Sequence, residues 1–357
     1  MTETGARLTW AEVIEDLLAG QDVDPGQVCW VMDQAMEGQA PPAAFAGFLV
    51  ALRAKGESIS EMRAMSESML AHAEPFAAPE LAAHGLDIVG TGGDGFGTVN
   101  ISTMASLVAA GAGSVVLKHG NRAASSLTGS ADVLESLGVA VDLDPGQIAQ
   151  VARQCGITFC FARTFHPAMR HVGPVRAAMG IRTAFNFLGP LTNPAQPRFS
   201  AVGVGSSTMA PIMAGVFAER GRQAVIFRGD DGLDEVTPQT TTSTWWVTPS
   251  GVVSLSLDPR RVGFPFSPVQ ALRGADADAN ASVARGVCAG DPGPVRDAVV
   301  LNAGLALALQ AGAAEGALQG DVHEQWARGI ERAQASIDDG RAQARLQSWA
   351  QATQAWS

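Results

Sequence analysis

At 357 residues, 46% of them hydrophobic and only 17% charged, the chain can fill a complete core and is long for one compact domain. Its formal net charge of -11 leaves no broad basic surface for a nucleic-acid backbone, although a local basic pocket for a small anion is compatible with it. The sequence shows no basic start followed by an apolar run and no apolar stretch of membrane-spanning length, so it reads as cytoplasmic, with neither membrane nor nucleic acid as partner.

Thr9, with Glu12 three residues on, forms a capping-box pattern that opens a helix ending near Gly20. Gln27 to Ala35 carries apolar residues at helical spacing. Ala43 to Arg53 is an apolar stretch of helix length, and Ile59 to His72 mixes charges with methionines. Residues 1–78 therefore read as a small all-helical domain. The proline- and alanine-rich joint AEPFAAPE ends it, and residues 79–357 read as an α/β domain.

In that second part short β-rich runs alternate with helices: LDIV, SVVLK, VAVDL and ITFCFA, then FSAVGVG and QAVIFRG. Such alternation implies βαβ units and a largely parallel central sheet flanked by helices. TWWVT and GVVSLSL read as a hairpin, ADADANA near Asp276 as a short mobile loop, and the Ala-rich stretches from about Asn280 as helices packed on the sheet. The four cysteines, Cys29, Cys155, Cys160 and Cys288, lack paired metal-ligand spacing and read as core residues.

The strand LDIV runs into Gly90-Thr91-Gly92-Gly93-Asp94-Gly95-Phe96-Gly97-Thr98-Val99-Asn100, with a helix expected from about Ser102. Glycines let the backbone approach phosphate oxygens there, and the first helical amides can face an anion. The spacing GxGxxG occurs, but without the acidic residue about twenty positions on that a dinucleotide fold needs, and no G-K-[S/T] follows. Asp94 would repel a bare phosphate, so a phosphorylated sugar or a metal beside it fits better. The plainer alternative is a strand-to-helix turn that Asp94 caps.

The strand SVVLK delivers Lys118-His119-Gly120-Asn121-Arg122, then Ser125, Ser126, Thr128, Gly129 and Ser130 before a helix. Loops at the C-terminal ends of parallel strands line one crevice. Of 24 basic residues only Lys55 and Lys118 are lysines, which makes Lys118 a less casual choice for phosphate. A polar solvated loop is the alternative. Asp234 and Glu235 by themselves read as solvated surface, and Arg176 as a helix-surface arginine.

Four blocks in order, GTGGDGFGTVNIST, KHGNRAASSLTGSADVLESLG, HPAMRHVGPVRAAMGIRTAFNFLGPLTNPA and GLDEVTP, resemble the signature blocks of the anthranilate phosphoribosyltransferase family. The resemblance covers most of the chain. It implies transfer of phosphoribose from phosphoribosyl pyrophosphate to the anthranilate amine, in tryptophan biosynthesis, and helices around 168–195 joining the N-terminal domain in space. For phosphoribosyl pyrophosphate it implies Gly90, Gly93, Asp94, Thr98, Asn100, Ile101, Ser102 and Thr103. From the second block it adds Lys118, His119, Gly120, Asn121, Arg122, Ala123, Ala124, Ser125, Ser126 and Ser130. For anthranilate it implies Gly90, Asn121 and Arg176, an arginine fork suiting the carboxylate, with His119 and His166 as walls. Ser102, Asp234 and Glu235 would hold magnesium, two ions per subunit, and the chain would form a homodimer. No general base is assigned; an aromatic amine attacks without prior deprotonation, and charge stabilisation falls to Lys118 and Asp94. Two alternatives stay open: a pyrimidine nucleoside phosphorylase, whose lysine block normally reads KHS, and a non-catalytic relative that binds nucleic acid or a partner protein.

Overall fold

The capping box at Thr9 forms as the sequence predicts. In the computed structural model, which describes residues 8–123, 128–315 and 321–356, Thr9 Oγ1 accepts the Glu12 N–H at 3.3 Å while Glu12 Oε2 accepts the Thr9 N–H at 3.0 Å. Those bonds open α1 (Trp10–Leu18). α2 (Pro25–Met36) begins at Asp24, whose Oδ1 accepts the Gly26 N–H at 2.8 Å. α3 (Pro42–Lys55) and α4 (Ile59–Ala71) follow, the latter with a second capping box between Ser58 and Glu61.

The α/β part begins with β1 (Gly85–Gly90), α5 (Ile101–Gly111), β2 (Val115–Gly120), α6 (Ser130–Ser136), α7 (Pro145–Cys155) and β3 (Ile157–Phe161). Three helices, α8 (Ala162–Phe165), α9 (Met169–Met179) and α10 (Phe185–Leu188), precede β4 (Phe199–Gly203), α11 (Met209–Glu219) and β5 (Gln223–Gly229). β6 (Thr242–Thr248) and β7 (Gly251–Leu257) form the expected hairpin, and α12 (Ala277–Ala289), α13 (Pro294–Glu315), α14 (Val322–Asp338) and α15 (Arg341–Gln354) end the chain. One seven-stranded sheet runs β3-β2-β1-β4-β5-β6-β7. Its first five strands are parallel, and β6 and β7 are antiparallel. The strand order reverses at β1, between β2 and β4, so the loops leaving β1, β2 and β4 open at a topological switch point.

Two expectations fail. VAVDL forms no strand: Val139, Val141 and Leu143 alternate into the core, but β3 already occupies the place beside β2. The Ala140 N–H is instead taken by Thr353 Oγ1 at 3.0 Å. ADADANA is no free loop either; Asp276 Oδ1 accepts the Ala279 N–H at 2.9 Å and starts α12. An aspartate-rich run that looks solvated is here an N-cap with an acidic first turn.

The chain divides into two compact units, Met1–Ala73 with His166–Thr192, and Glu74–Phe165 with Asn193–Ser357. The joint after α4 goes with the second unit, because Phe76 and Ala78 are buried in its hydrophobic cluster. In that cluster α13 and α14 meet through Gly304 and Gly329: a Cβ on Gly329 would land on the Gly304 carbonyl oxygen. Gly329→Ala should therefore lower stability by about 1–3 kcal/mol through overpacking, although alanine is the better helix former. Thermal unfolding reads this directly, and an unchanged or raised Tm would show that the helices can part at no cost.

Candidate active site

The glycine-rich loop is shaped by backbone conformation. Gly92, Gly93, Gly95 and Gly97 all take φ between 64° and 85°, a region closed to most side chains. The loop starts where Thr91 N–H donates to Gly203 O at 2.9 Å and returns where Val99 N–H donates to Leu272 O and Gly274 N–H to Gly97 O, at 2.9 and 2.8 Å. Thr98 lies on that return, bridged to Arg273. Asp94 Oδ1 accepts the Phe96 N–H at 3.0 Å, whereas no N–H or hydroxyl among the described residues donates to its buried Oδ2. The buried hydroxyls of Thr91 and Thr103 likewise find no partner among the described residues.

Asp234 and Glu235 are not solvated surface. Both are buried, each 7% exposed, in the segment after β5. Asp234 Oδ2 accepts the Gly92 N–H at 2.6 Å, and the approach is so close that a Cβ on Gly90 would come within 2.5 Å of that oxygen. A Cβ on Gly203 would overlap the Asp234 carbonyl oxygen. Two strand-end glycines thus make room for one carboxylate-bearing turn. Burial, and then the neighbouring Asp94, push the Asp234 carboxyl up to about 7. Glu235 is pushed well above the usual carboxylate range, first by burial and then by Asp234.

The Ser102 backbone amide acts to lower the Glu235 pKa, so a first-turn amide of α5 faces a protein carboxylate where a substrate anion was expected. Helix N-termini favour negative charge from either source. Ile101 and Thr103 are buried alongside. Lys118 lies beneath the loop with 1% exposure, and its Nζ donates to Ile88 O at 2.6 Å and lies 3.4 Å from Ser102 Oγ. Burial pulls its pKa down, against the opposing charges of Asp87 and Glu235. Asp87, in turn, is raised to about 6 by burial despite Lys118 and the Asn193 amide.

The second loop is described at its two ends only. The His119 N–H donates to Asp87 Oδ1 at 3.2 Å, and its side chain is buried. Gly120 closes β2, exposed Asn121 accepts the Arg122 N–H on its own Oδ1 at 2.8 Å, and Ser130 begins α6. Arg122 turns to Glu135, at 2.6 and 2.7 Å, and to Asp132 at 3.0 Å. That arginine is already committed to an exposed ion pair. Asp132 Oδ2 accepts the N–H groups of Ala123 and Gly129, at 3.1 and 2.9 Å, and so fastens the loop's base. Ala124, Ser125 and Ser126 lie outside the described residues.

His166 and Arg176 belong to the first unit. The His166 ring is 3% exposed, its Nε2 is 2.9 Å from Thr192 O, and burial lowers its pKa to about 4. The ring is neutral at physiological pH. The Arg176 guanidinium lies 5.4 Å above the Phe185 ring, itself edge-on to Phe45. Burial lowers its pKa, and no carboxylate among the described residues pairs with it. A half-buried arginine on an aromatic face with an unspent fork suits a planar carboxylate.

Sequence reasoning missed Asn280, through which these loops are joined. Asn100 donates from Nδ2 to Thr128 O at 3.2 Å and accepts on Oδ1 from buried Asn280 Nδ2 at 3.0 Å. Asn280 Oδ1 accepts the Ala275 N–H at 2.8 Å, and Thr128 Oγ1 donates to Ala275 O at the same distance. The start of α12 therefore knits the two loops together. Among the described residues no group of three His, Cys, Asp or Glu side chains already converges as a metal cage. Asp94 and Asp234 are nonetheless close enough to raise the proton affinity of Glu235, and Asp94 that of Asp234.

Residues 82–343 match the glycosyl transferase family a/b domain and residues 11–73 its helical bundle domain. The chain is 52% identical to the anthranilate phosphoribosyltransferase of Frankia alni, over 97% of each chain. It superposes on that enzyme from Thermus thermophilus with a TM-score of 0.86 at 38% identity, covering 96% of this chain and 99% of the other. The Saccharomyces cerevisiae enzyme, in complex with phosphoribosyl pyrophosphate and magnesium, gives 0.85 at 26% identity, covering 97% and 98%. The same yeast protein has been solved with 4-fluoroanthranilate.

The raised Asp234 pKa fixes a pH dependence. A carboxyl whose folded pKa stands at about 7, above its ordinary 3.8, contributes most below the unfolded value and loses that contribution as pH rises through about 7. Without divalent cations, Asp234→Asn should therefore gain in Tm relative to the unsubstituted protein between pH 5 and 8. Parallel Tm curves over that range would refute the assignment.

Proposed function

The chain belongs to the anthranilate phosphoribosyltransferase family, and from that membership we propose how its residues divide the work. The reaction transfers phosphoribose from phosphoribosyl pyrophosphate to the amine of anthranilate, giving N-(5-phosphoribosyl)anthranilate and pyrophosphate in tryptophan biosynthesis. Asp234, Glu235 and Ser102 hold magnesium. Their fit rests on carboxylates whose ionisation burial and neighbouring carboxylates oppose, together with an Asp94 Oδ2 to which no N–H or hydroxyl among the described residues donates; a cation relieves both. When bound, magnesium supplies charge neutralisation for the departing pyrophosphate.

The chain's own groups do the rest. Loop amides from Gly90 to Asn100 and the hydroxyls of Thr98, Ser102 and Thr103 cradle the phosphoribosyl group. From beneath, buried Lys118 contributes positive charge to the same floor without leaving Ile88 O. Asn121, exposed just past the end of β2, accepts from the anthranilate amine, and Arg176 grips the carboxylate. As the C1 to oxygen bond lengthens, positive charge grows on the ribose, and Asp94 is the anion placed to answer it. The amine nitrogen then bonds to C1 as the pyrophosphate oxygen leaves, and the nitrogen sheds its proton afterwards. His166, neutral and enclosed, is a wall and not an acid.

The observation that carries this reading is the set of buried, cation-seeking carboxylates at the mouth of the glycine loop. Pyrophosphate release from phosphoribosyl pyrophosphate, with and without anthranilate, tests it: release should require both anthranilate and magnesium. Phosphate-dependent cleavage of thymidine or uridine in its place would hand the site to the nucleoside phosphorylase alternative. Two magnesium ions per subunit, a homodimer and a cytoplasmic location complete the reading. Metal titration, sedimentation equilibrium and cell fractionation respectively measure them.

Arg176→Ala should raise the Michaelis constant for anthranilate by roughly ten- to a hundredfold, as loss of a charge-assisted bidentate contact does. The constant for phosphoribosyl pyrophosphate should change little. Equal effects on the two would remove Arg176 from the acceptor site. The pair Asp234→Asn and Glu235→Gln should raise the magnesium needed for half-maximal turnover, and undiminished turnover at limiting magnesium would end their metal role.

A further inference from the structure

The last third of the chain carries no recognisable motif, yet α13 contains a polar side chain where its neighbours are all apolar. Asn302 is 1% exposed, amid Ala298, Val299, Leu301, Ala303 and Leu305. Its amide is nearly saturated: Oδ1 accepts the Val236 N–H at 3.1 Å, and Nδ2 donates to Val236 O at 2.7 Å and to Ala298 O at 2.8 Å.

The bonds to Val236 fall on both sides of one residue, as a neighbouring strand would make them, and so fix two successive peptide planes. The first of those planes is the Glu235–Val236 peptide. Val236 is fully buried and lies outside any strand, so no ladder otherwise holds it. The other constraints on this turn come from elsewhere: Gly229 N–H donates to Leu233 O at 2.9 Å, and Thr237 Oγ1 donates to Asp231 Oδ2 at 3.1 Å. Those tie its base. Asn302 alone among these groups reaches the peptide bearing the Glu235 carboxylate.

We propose that Asn302 is a positioning residue that presents the Asp234 and Glu235 carboxylates to the divalent cation. This rests on those two carboxylates being cation ligands. Supporting groups one step behind a ligand hold it in place, and their loss typically weakens metal affinity by about ten- to a hundredfold.

Two variants separate this role from mere filling of space. Asn302→Asp keeps the acceptor for Val236 N–H but loses both donors, and Asn302→Leu keeps the volume with neither. Manganese binding to the substrate-free protein, read by electron paramagnetic resonance, should weaken by about tenfold or more in both. It should weaken in Asp234→Asn as well. In turnover, the magnesium needed for half-maximal rate should rise while the anthranilate Michaelis constant holds. If Asp234→Asn weakens manganese binding and the Asn302 variants do not, Asn302 is only a packing residue and the proposal falls. If Asp234→Asn also leaves binding unchanged, the fault lies in the ligand assignment, and the proposal falls with it. Should neither variant fold, hydrogen exchange on the unsubstituted protein decides: the Val236 amide should exchange as slowly as those of α13, and rapid exchange would overturn the grip.

Discussion

Two carboxylates brought out of water, with a third beside them, set the terms for everything around them. Asp234 and Glu235 sit where burial and neighbouring carboxylates both oppose their ionisation, and the buried ammonium nearby, Lys118, is shared with Asp87. Charge left this far from balance is costly in a low-dielectric interior. Such an arrangement persists where function requires a cation, and it explains why the surrounding backbone is so constrained. Gly90 and Gly203 admit the Asp234 turn only because neither has a Cβ, and the glycine loop reaches Asp234 Oδ2 with the amide of Gly92, itself at positive φ.

The helices at the end of the chain then take on a second task beyond covering the sheet. Asn280 on α12 holds Asn100, at the entry to α5. Asn302 on α13 holds Val236, next to Glu235. Both are buried amides that replace backbone partners the loops lack, and each is attached to a helix that the core keeps fixed. A site assembled from loops gains its precision in this way from rigid elements behind it.

Much of this was legible in the sequence, and the illegible part has a common cause. The helices α1 to α4, the β1, β2 and β3 runs and the hairpin announced themselves because capping residues and apolar periodicity are local signals. VAVDL misled because alternate burial was satisfied without a strand partner, and partner choice is decided by β3, far along the chain. ADADANA misled because an N-cap aspartate and a solvated aspartate look alike. Asp234 and Glu235 could be weighed as ligands only through the surrounding block, since an acidic pair by itself indicates surface. Asn280, Asn302 and Asp132 gave no signal at all. Each is a single polar residue whose partners lie on other elements, or across a loop, and spacing along one helix does not encode that.

The scarcity of lysine acquires a physical meaning once both positions are seen. Lys55 and Lys118 are each interior cations. Lys55, with its side chain 5% exposed, bonds Asp22 and buried Glu61 at 2.6 and 2.9 Å, while Lys118 bonds Ile88 O under the glycine loop. The arginines Arg122, Arg153, Arg260 and Arg341 form ion pairs at the surface instead. An ammonium concentrates its charge in a small volume and fits between strands, where a planar guanidinium with five donors would leave several unsatisfied. In a chain that otherwise writes positive charge as arginine, lysine marks the places where the charge had to go inside, and one of the two lies under the candidate active site.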